Sequence, residues 1–248
     1  MSNQVKSTSI EILKKASIAT LATALFKRGL RNQTIQNVRP VRAGHNLPPS
    51  PHQENMVGPA FTLRYIPARE DRNTLAEFKN PDHPQRQAIE QCPAGHVLVM
   101  DSRKDARAAS AGDILITRLM MRGAAGVVTD GGFRDSDKIA ELDIAAYHHR
   151  PSSPTNLTLH EALDINVPIG CGDVAVFPDD YVVGDQDGVI IVPAALIDEV
   201  AIEAHEMTIF EDFVHEEVQK GKTIIGLYPC TLDENRRAFE AWRKDNNR

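Results

Sequence analysis

Short apolar runs punctuated by glycine and aspartate are the feature that most restricts this 248-residue chain. Residues 96–100 (HVLVM) read as a compact strand with Asp101 at its end. Gly112-Asp113 opens an apolar-periodic helix that carries Ile114, Leu115, Leu119 and Met120 and closes at Gly123. Val127-Val128 belong to a buried strand ending at Thr129-Asp130, and the turn Gly131-Gly132-Phe133-Arg134-Asp135 follows at once. A short helix over 138–142 and a strand over 144–147 complete a strand–helix–strand rhythm. That alternation points to an α/β fold.

The flanks add helices and further strands. Thr8-Ser9-Ile10-Glu11 fits a capping box, Ile10, Leu13, Leu21 and Leu25 share a helical face, and Gly29 is a natural stop. Residues 31–56, rich in Pro, Asn and Arg, read as a long loop or arm, and 67–84 as a second polar loop. Long irregular segments in compact domains are commonly functional or oligomer contacts. Between them 57–66 reads as a strand, and 85–91 beyond as a short helix. Residues 150–160 form a Pro/Ser/Thr loop, and 167–192 turn β-rich. A last long helix spans about 194–220, with a stripe of Leu196, Val200, Met207, Phe210, Val214 and Val218, before a charged tail. One domain of mixed strands and helices is the economical account.

Composition removes several classes of function. Lys plus Arg is 28 and Asp plus Glu 34, a net charge of −6. This argues against nonspecific nucleic-acid binding, which needs basic surface to displace counterions. No apolar stretch approaches the roughly 20 residues of a membrane helix. The amino terminus lacks the apolar centre of a signal peptide. Cys92, Cys171 and Cys230 show neither CxxC spacing nor a disulfide framework, so a cytoplasmic location is expected.

The segment from Asp113 to Asp135 is where chemistry is expected. A helix start at Gly112-Asp113 offers free N–H groups suited to a substrate carboxylate. Gly131 and Gly132 let backbone pass close to a ligand. Arg134 suits a bidentate pair with a carboxylate or a keto–carboxylate edge. Asp135 is a hard oxygen ligand for Mg²⁺, an ion that commonly takes one or two protein carboxylates and keeps its other positions for water and substrate.

These residues also resemble a family. Gly112-Asp113-Ile114, the run from Arg122 to Val128, Asp130-Gly131 and Arg134-Asp135 resemble the RraA-like family. That family includes class II 4-hydroxy-4-methyl-2-oxoglutarate/4-carboxy-4-hydroxy-2-oxoadipate aldolases and the regulator of ribonuclease activity A. The resemblance extends to Val57-Gly58-Pro59-Ala60, Gly95 to Val99 and Asp187-Gly188-Val189, covering about residues 10–228. The loop at 67–92 and Gly226-Leu227-Tyr228-Pro229 resemble a longer bacterial branch; the tail is 222–248.

The resemblance implies an αββα sandwich, assembled as a homotrimer or homohexamer with shared active sites. In the aldolases the Arg binds substrate and the Asp holds Mg²⁺ or Mn²⁺, which maps to Arg134 and Asp135. A second carboxylate that touches water on the metal maps to Asp113. Backbone amides at Ile114 and Leu115 would receive the pyruvyl carboxylate. A Glu from the neighbouring subunit's last helix maps to Glu211, with Glu206 second. Regulator members bind a ribonuclease and can lack the acidic residue after the Arg; Asp113 and Asp135 favour the enzyme. The expected activity is metal-dependent cleavage of a 4-hydroxy-2-oxo acid to pyruvate, with oxaloacetate decarboxylation as a side activity. Thr23 stands where the family often has Asp, and Asp173 and Asp179 stand at turn positions often held by Gly.

Other groups have plainer readings. Lys104, Lys138, Arg64 and Arg107 read as surface charges, and His45, His52 and His83 as solvated loop histidines. His148-His149 point to opposite faces of a strand and form no chelate. Asp185-Gln186-Asp187-Gly188 reads as a hairpin turn and Cys171 as a small buried residue.

Overall fold

The computed structural model describes residues 2–44 and 54–248. Helix α1 (Ser2–Leu13) and α2 (Ile18–Lys27) lead to a short strand β1 (Arg39–Pro40) and a long strand β2 (Met56–Pro67). Then come α3 (Pro84–Gln91), β3 (Val97–Asp101), β4 (Ala109–Ala111), α4 (Asp113–Met121), β5 (Gly126–Thr129), β6 (Gly132–Phe133) and α5 (Ser136–Glu141). Strands β7 (Ala145–His148), β8 (Arg150–Pro151), β9 (His160–Ile165), β10 (Ile169–Cys171), β11 (Val174–Val176), β12 (Tyr181–Asp185) and β13 (Gly188–Val192) precede α6 (Ile197–Gln219) and α7 (Asp233–Asp245).

The main sheet runs β1-β7-β5-β3-β2-β12-β13, with β9 on the far half of β2. Its centre, β7-β5-β3-β2, is parallel. The segment before β1 nearly closes it. Ile35 donates to Val189 O and Ile191 to Gln33 O, each at 2.9 Å, while Arg39 pairs with His148. One stretch of chain thus touches both ends of the sheet.

Strand alternation fills both sides of this sheet. Val97 and Val99 point inward, with Val128, Val182, Val189 and Ile191, and the β10–β11 hairpin adds Ile169, Cys171, Val174 and Val176 to the same core. Leu98, Met100 and Val127 face outward against α3, α4 and α5. On the opposite outer face Val183, Ile190 and Val192 pack against α1, α2 and α6. Helices, sheet, sheet and helices follow in layers, so the expected αββα arrangement holds with the sheet almost closed. Each buried aliphatic side chain contributes roughly 1.5–3 kcal/mol. Among the described residues no helix is long and apolar enough to cross a membrane.

Several local expectations need correction. The first helix is two helices, and Thr8 lies inside α1 rather than at its cap. Ser17 breaks the run: its backbone is extended and its hydroxyl accepts from Thr20 N at 3.1 Å. Asp185 Oδ2 accepts from Ile18 N at 2.9 Å, a second cap from the β12–β13 turn. The helix α4 buries Ile116 and Leu119, while Ile114 is 78% exposed. In α6 the buried face is Val200, Ala201, Ala204, Ile209, Phe213 and Val214; Val218 is exposed. The loop 150–160 contains β8 and leads straight into β9. Asp173 and Asp179 do adopt left-handed backbone, φ 66° and 68°, as glycine-like turn positions require.

Candidate active site

Strands β3, β5 and β7 end side by side, and the loops leaving them build the site. Each loop folds into a short strand, and β4, β6 and β8 pair in parallel as a three-stranded shelf. Arg134 N donates to Ala111 O at 3.1 Å and Ser152 N to Phe133 O at 2.8 Å, which locks the three loops together. Crevices at the carboxyl ends of parallel strands are where α/β sheets bind ligands.

A buried carboxylate fastens this shelf. Asp130 accepts hydrogen bonds from the amides of Ser102 (2.6 Å), Lys104 (3.0 Å) and Gly172 (3.0 Å). The hydroxyls of Ser102, Ser110 and Thr129 interlink beside it. Burial pushes the Asp130 carboxyl up to about 6, against the pull of those amides. Gly131 and Gly132 are buried against protein rather than a ligand: a Cβ on Gly132 would lie 2.5 Å from Ser152 Cβ. The glycine that matters at the pocket is Gly112. A Cβ there would lie 2.8 Å from Arg134 Cγ and 3.1 Å from Asp135 Oδ2, so only glycine lets that pair fold against the start of α4.

A cavity of about 260 Å³ opens between these groups. Gly112, Asp113, Ile114, Leu115, Arg134 and Asp135, the residues expected from sequence, all line it. Asp135 has φ 56° and ψ 38°, left-handed backbone, and its side chain caps no helix amide. Its Oδ2 lies 3.4 Å from Arg134 Nε. Asp113 interacts with the Asp135 carboxyl, receives the Ile114 amide at 2.9 Å, and has Lys138 Nζ 3.3 Å from its Oδ2. Partial burial raises the Asp113 carboxyl, but Lys138 and the Ile114 amide hold it below the usual carboxylate range. It is therefore ionised at neutral pH. The Ile114 amide already serves Asp113.

Two adjacent carboxylates facing open space fit a hard divalent cation that keeps most of its water. Among the described residues no three His, Cys, Asp or Glu side chains gather to hold a metal. The carboxylate oxygens of Asp113 and Asp135 are the donor type of a hard divalent cation rather than of a thiolate or imidazole site.

The far wall of the cavity was not anticipated. Phe78, Gln85 and Arg86 from the 67–92 segment line it together with Thr155 and Asn156. Gln85 is buried and anchors α3 through Ser110 O (2.5 Å) and the Tyr65 hydroxyl (3.3 Å). The length and polarity of 67–84 signalled function without naming these side chains.

The remaining candidates sort clearly. Glu211, on the opposite helix layer, accepts from Thr20 Oγ1 (3.0 Å) and the Tyr228 hydroxyl (3.2 Å) and does not line its own chain's cavity. Glu206 pairs with Arg243. Arg64 pairs with Asp164, Arg107 with Asp105 and Lys104 with Asp173. Lys138 is exposed, as expected, yet reaches Asp113. His83 corrects the solvated-loop expectation: it is buried beside the Phe78 ring, at 5.8 Å, and burial lowers its pKa. His45 and His52 lie outside the described residues.

His148 lies behind the site, stacked on Phe133 with ring centroids 5.6 Å apart. Burial holds its pKa down to about 4. A depressed histidine contributes stability that is present above its unfolded pKa of about 6.5 and lost as pH falls toward 4. Asp130 acts oppositely: raised to about 6, it favours the folded state at low pH, and that contribution is lost as pH rises through about 6. Between pH 7.5 and 5 the two largely offset. His148→Phe removes one side of the balance. The variant should gain roughly 2 kcal/mol relative to wild type over that interval, measured by urea unfolding at both pH values. An identical pH response of the two proteins would show that His148 is not the buried neutral group.

The fold and pocket together define an α/β protein with an open cavity beside a carboxylate pair at the ends of parallel strands. The sequence profile of the RraA-like family, described as Aldolase/RraA, matches residues 18–191. The chain belongs to the RraA-like family. A Halalkalibacterium halodurans protein named "Putative 4-hydroxy-4-methyl-2-oxoglutarate aldolase" is 31% identical over 147 residues, 59% of this chain and 64% of that protein. A protein of the same name from Ectopseudomonas mendocina is 36% identical over 102 residues, 41% of this chain and 62% of that protein. The matches thus span less than two thirds of these relatives. A Streptomyces coelicolor structure, described as an unusual member of the RNase ES inhibitor RraA protein family, superimposes with TM-score 0.71 at 25% identity, covering 84% of this chain and 96% of that one. An uncharacterized Pseudomonas syringae protein gives TM-score 0.73 at 21% identity, covering 90% and 97%, a likeness of fold.

Proposed function

We propose that this protein is a divalent-metal-dependent lyase that cleaves a 4-hydroxy-2-oxo acid to pyruvate and a carbonyl product. The observation that carries this reading is the Arg134-Asp135 pair, folded against Gly112 and lining one open cavity with Asp113. Mg²⁺ or Mn²⁺ held by Asp135 would supply Lewis-acid polarisation of the 2-oxo group. Arg134 pairs with the carboxylate and keto edge of the substrate. Its guanidinium then faces the negative charge that develops as the C3–C4 bond breaks, where a fixed cation is most effective. The Leu115 amide, at the start of α4, receives the substrate carboxylate, joined by Ile114 once Asp113 turns toward its ligand. Ionised Asp113, steadied by Lys138, orients a water that relays the C4 hydroxyl proton as the C3–C4 bond breaks, and that proton is returned to C3 of the enolate to give pyruvate. The same charge stabilisation permits decarboxylation of oxaloacetate.

Ile114, exposed in the cavity lining, and Met121, exposed at the far end of α4, favour a second copy packing on this helix. In this reading the protein is a cytoplasmic homotrimer or homohexamer, and Glu211, or Glu206, comes from the neighbouring copy's α6. The Streptomyces neighbour supports one alternative, a regulator that binds a ribonuclease and needs no metal. A lactate-dehydrogenase-coupled assay over 4-hydroxy-2-oxo acids and oxaloacetate separates them. Pyruvate release should require Mg²⁺ or Mn²⁺ and stop with EDTA. No turnover on any substrate, with tight binding to ribonuclease E, would reverse the conclusion.

A further inference from the structure

We propose that Lys138 keeps the carboxylate pair of the pocket electrically balanced, so that a divalent cation and a 2-oxo acid bind tightly only together. This rests on the lyase reading above and gives its exposed lysine a role in coupling the two ligands.

Three observations carry it. Each carboxylate of the pocket already faces a cation: Asp135 Oδ2 lies 3.4 Å from Arg134 Nε, and Asp113 Oδ2 lies 3.3 Å from Lys138 Nζ. The other Asp113 oxygen is engaged too, by the Ile114 amide at 2.9 Å. Two negative charges are thus set against two positive ones, and Arg86 adds a further cation to the cavity lining. Among the described residues no three His, Cys, Asp or Glu side chains gather to tip that balance.

A divalent cation alone gains little from such a place. It meets oxygens whose charge is already countered, with an ammonium and a guanidinium close by, and hard-cation affinity follows the charge of the ligands. A 2-oxo acid alone meets two carboxylates. Together the two ligands relieve each other. The acid's carboxylate draws the Arg134 guanidinium into a charge-assisted pair, which frees Asp135, and its own charge adds to that of the aspartates. Lys138 is the part that can yield. Its side chain is 71% exposed on a flexible stem, so the ammonium can swing into water while Asp113 stays in the wall. The Arg134 stem, by contrast, lies against Gly112.

Binding measured without turnover tests this. Free Mn²⁺ is followed by its electron paramagnetic resonance signal, with and without saturating pyruvate. In wild type, pyruvate should tighten Mn²⁺ by about tenfold or more, and Mn²⁺ should tighten pyruvate, titrated by calorimetry, by the same factor, since such coupling is reciprocal. Lys138→Gln should tighten Mn²⁺ alone by about threefold or more. It should also shrink the pyruvate effect, because with both ligands bound the ammonium has already left. Lys138→Arg should keep the wild-type pattern. Lys27→Gln removes the same charge from a pair with Glu203 on the opposite helix layer and should change neither titration, which separates a local effect from overall charge. Mn²⁺ that binds equally tightly with and without pyruvate, or a Lys138→Gln protein that matches wild type in both titrations, would overturn the charge balance, while pyruvate release in the coupled assay would still stand for the lyase. Mn²⁺ that binds under neither condition would overturn the metal-dependent reading itself, and this proposal with it.

Discussion

Asp135→Asn is expected to lower metal-dependent pyruvate release by a hundred- to thousandfold or more, with almost no change in stability. The argument for separating the two effects is local. Asp135 sits in left-handed backbone at φ 56°, where an alanine would be strained by about 1–2 kcal/mol but asparagine is tolerated. Its side chain makes no capping bond to α5. Its one ion pair, 3.4 Å to Arg134, is partly exposed, and such pairs contribute under about 1 kcal/mol. Folding therefore asks little of this carboxylate. Loss of its negative charge removes the anionic oxygen a hard cation needs. Pyruvate release across a Mg²⁺ titration, together with a thermal melt, measures both halves. Undiminished activity in the asparagine variant would sink the site assignment.

The same residues show what the chain makes legible and what it hides. Asp113 and Arg134-Asp135 could be joined on paper because Asp113 opens the helix after one apolar strand and Arg134-Asp135 lie in the turn after the next, and adjacent parallel strands bring their following segments together. The strands themselves were readable because their runs are short and apolar throughout, as strands buried on both faces must be. The break at Ser17 was hidden because one of its caps, Asp185, comes from a turn 167 residues away. The strand β8 is two residues long and exists only because β6 lies beside it. Lys138 looked like any helix lysine, since nothing local says that α5 begins next to Asp113. Arg86 and Asn156 were illegible for a stronger reason. Each is unremarkable in its own segment, and only the fold brings them to one cavity from loops some seventy residues apart.

The gain in meaning from tertiary contact also makes the carboxyl-terminal helices testable. Phe213→Ala should destabilise the protein by about 3–5 kcal/mol, the range for a buried aromatic cut to a methyl group. Phe213 is 1% exposed and lies at the centre of an aromatic cluster, with ring centroids 5.4 Å from Phe239, 5.8 Å from Trp242 and 6.3 Å from Phe210. Leu227 completes the cluster from the segment between α6 and α7. The polar contacts around it, Trp242 to Glu216 and Arg243 to Glu206, are exposed and cannot hold α7 alone. The loss should therefore be uneven. Cleavage by a protease should begin between 226 and 248, where α7 depends on Phe213, before the sheet opens. Tyr228 stacks on Phe210 at 6.1 Å and donates to Glu211, so loosening the cluster also frees that glutamate from one of its two partners. Urea unfolding gives the total loss and limited proteolysis its location. A loss below about 1 kcal/mol, with cleavage sites unchanged, would mean that α7 is held by something other than this aromatic packing.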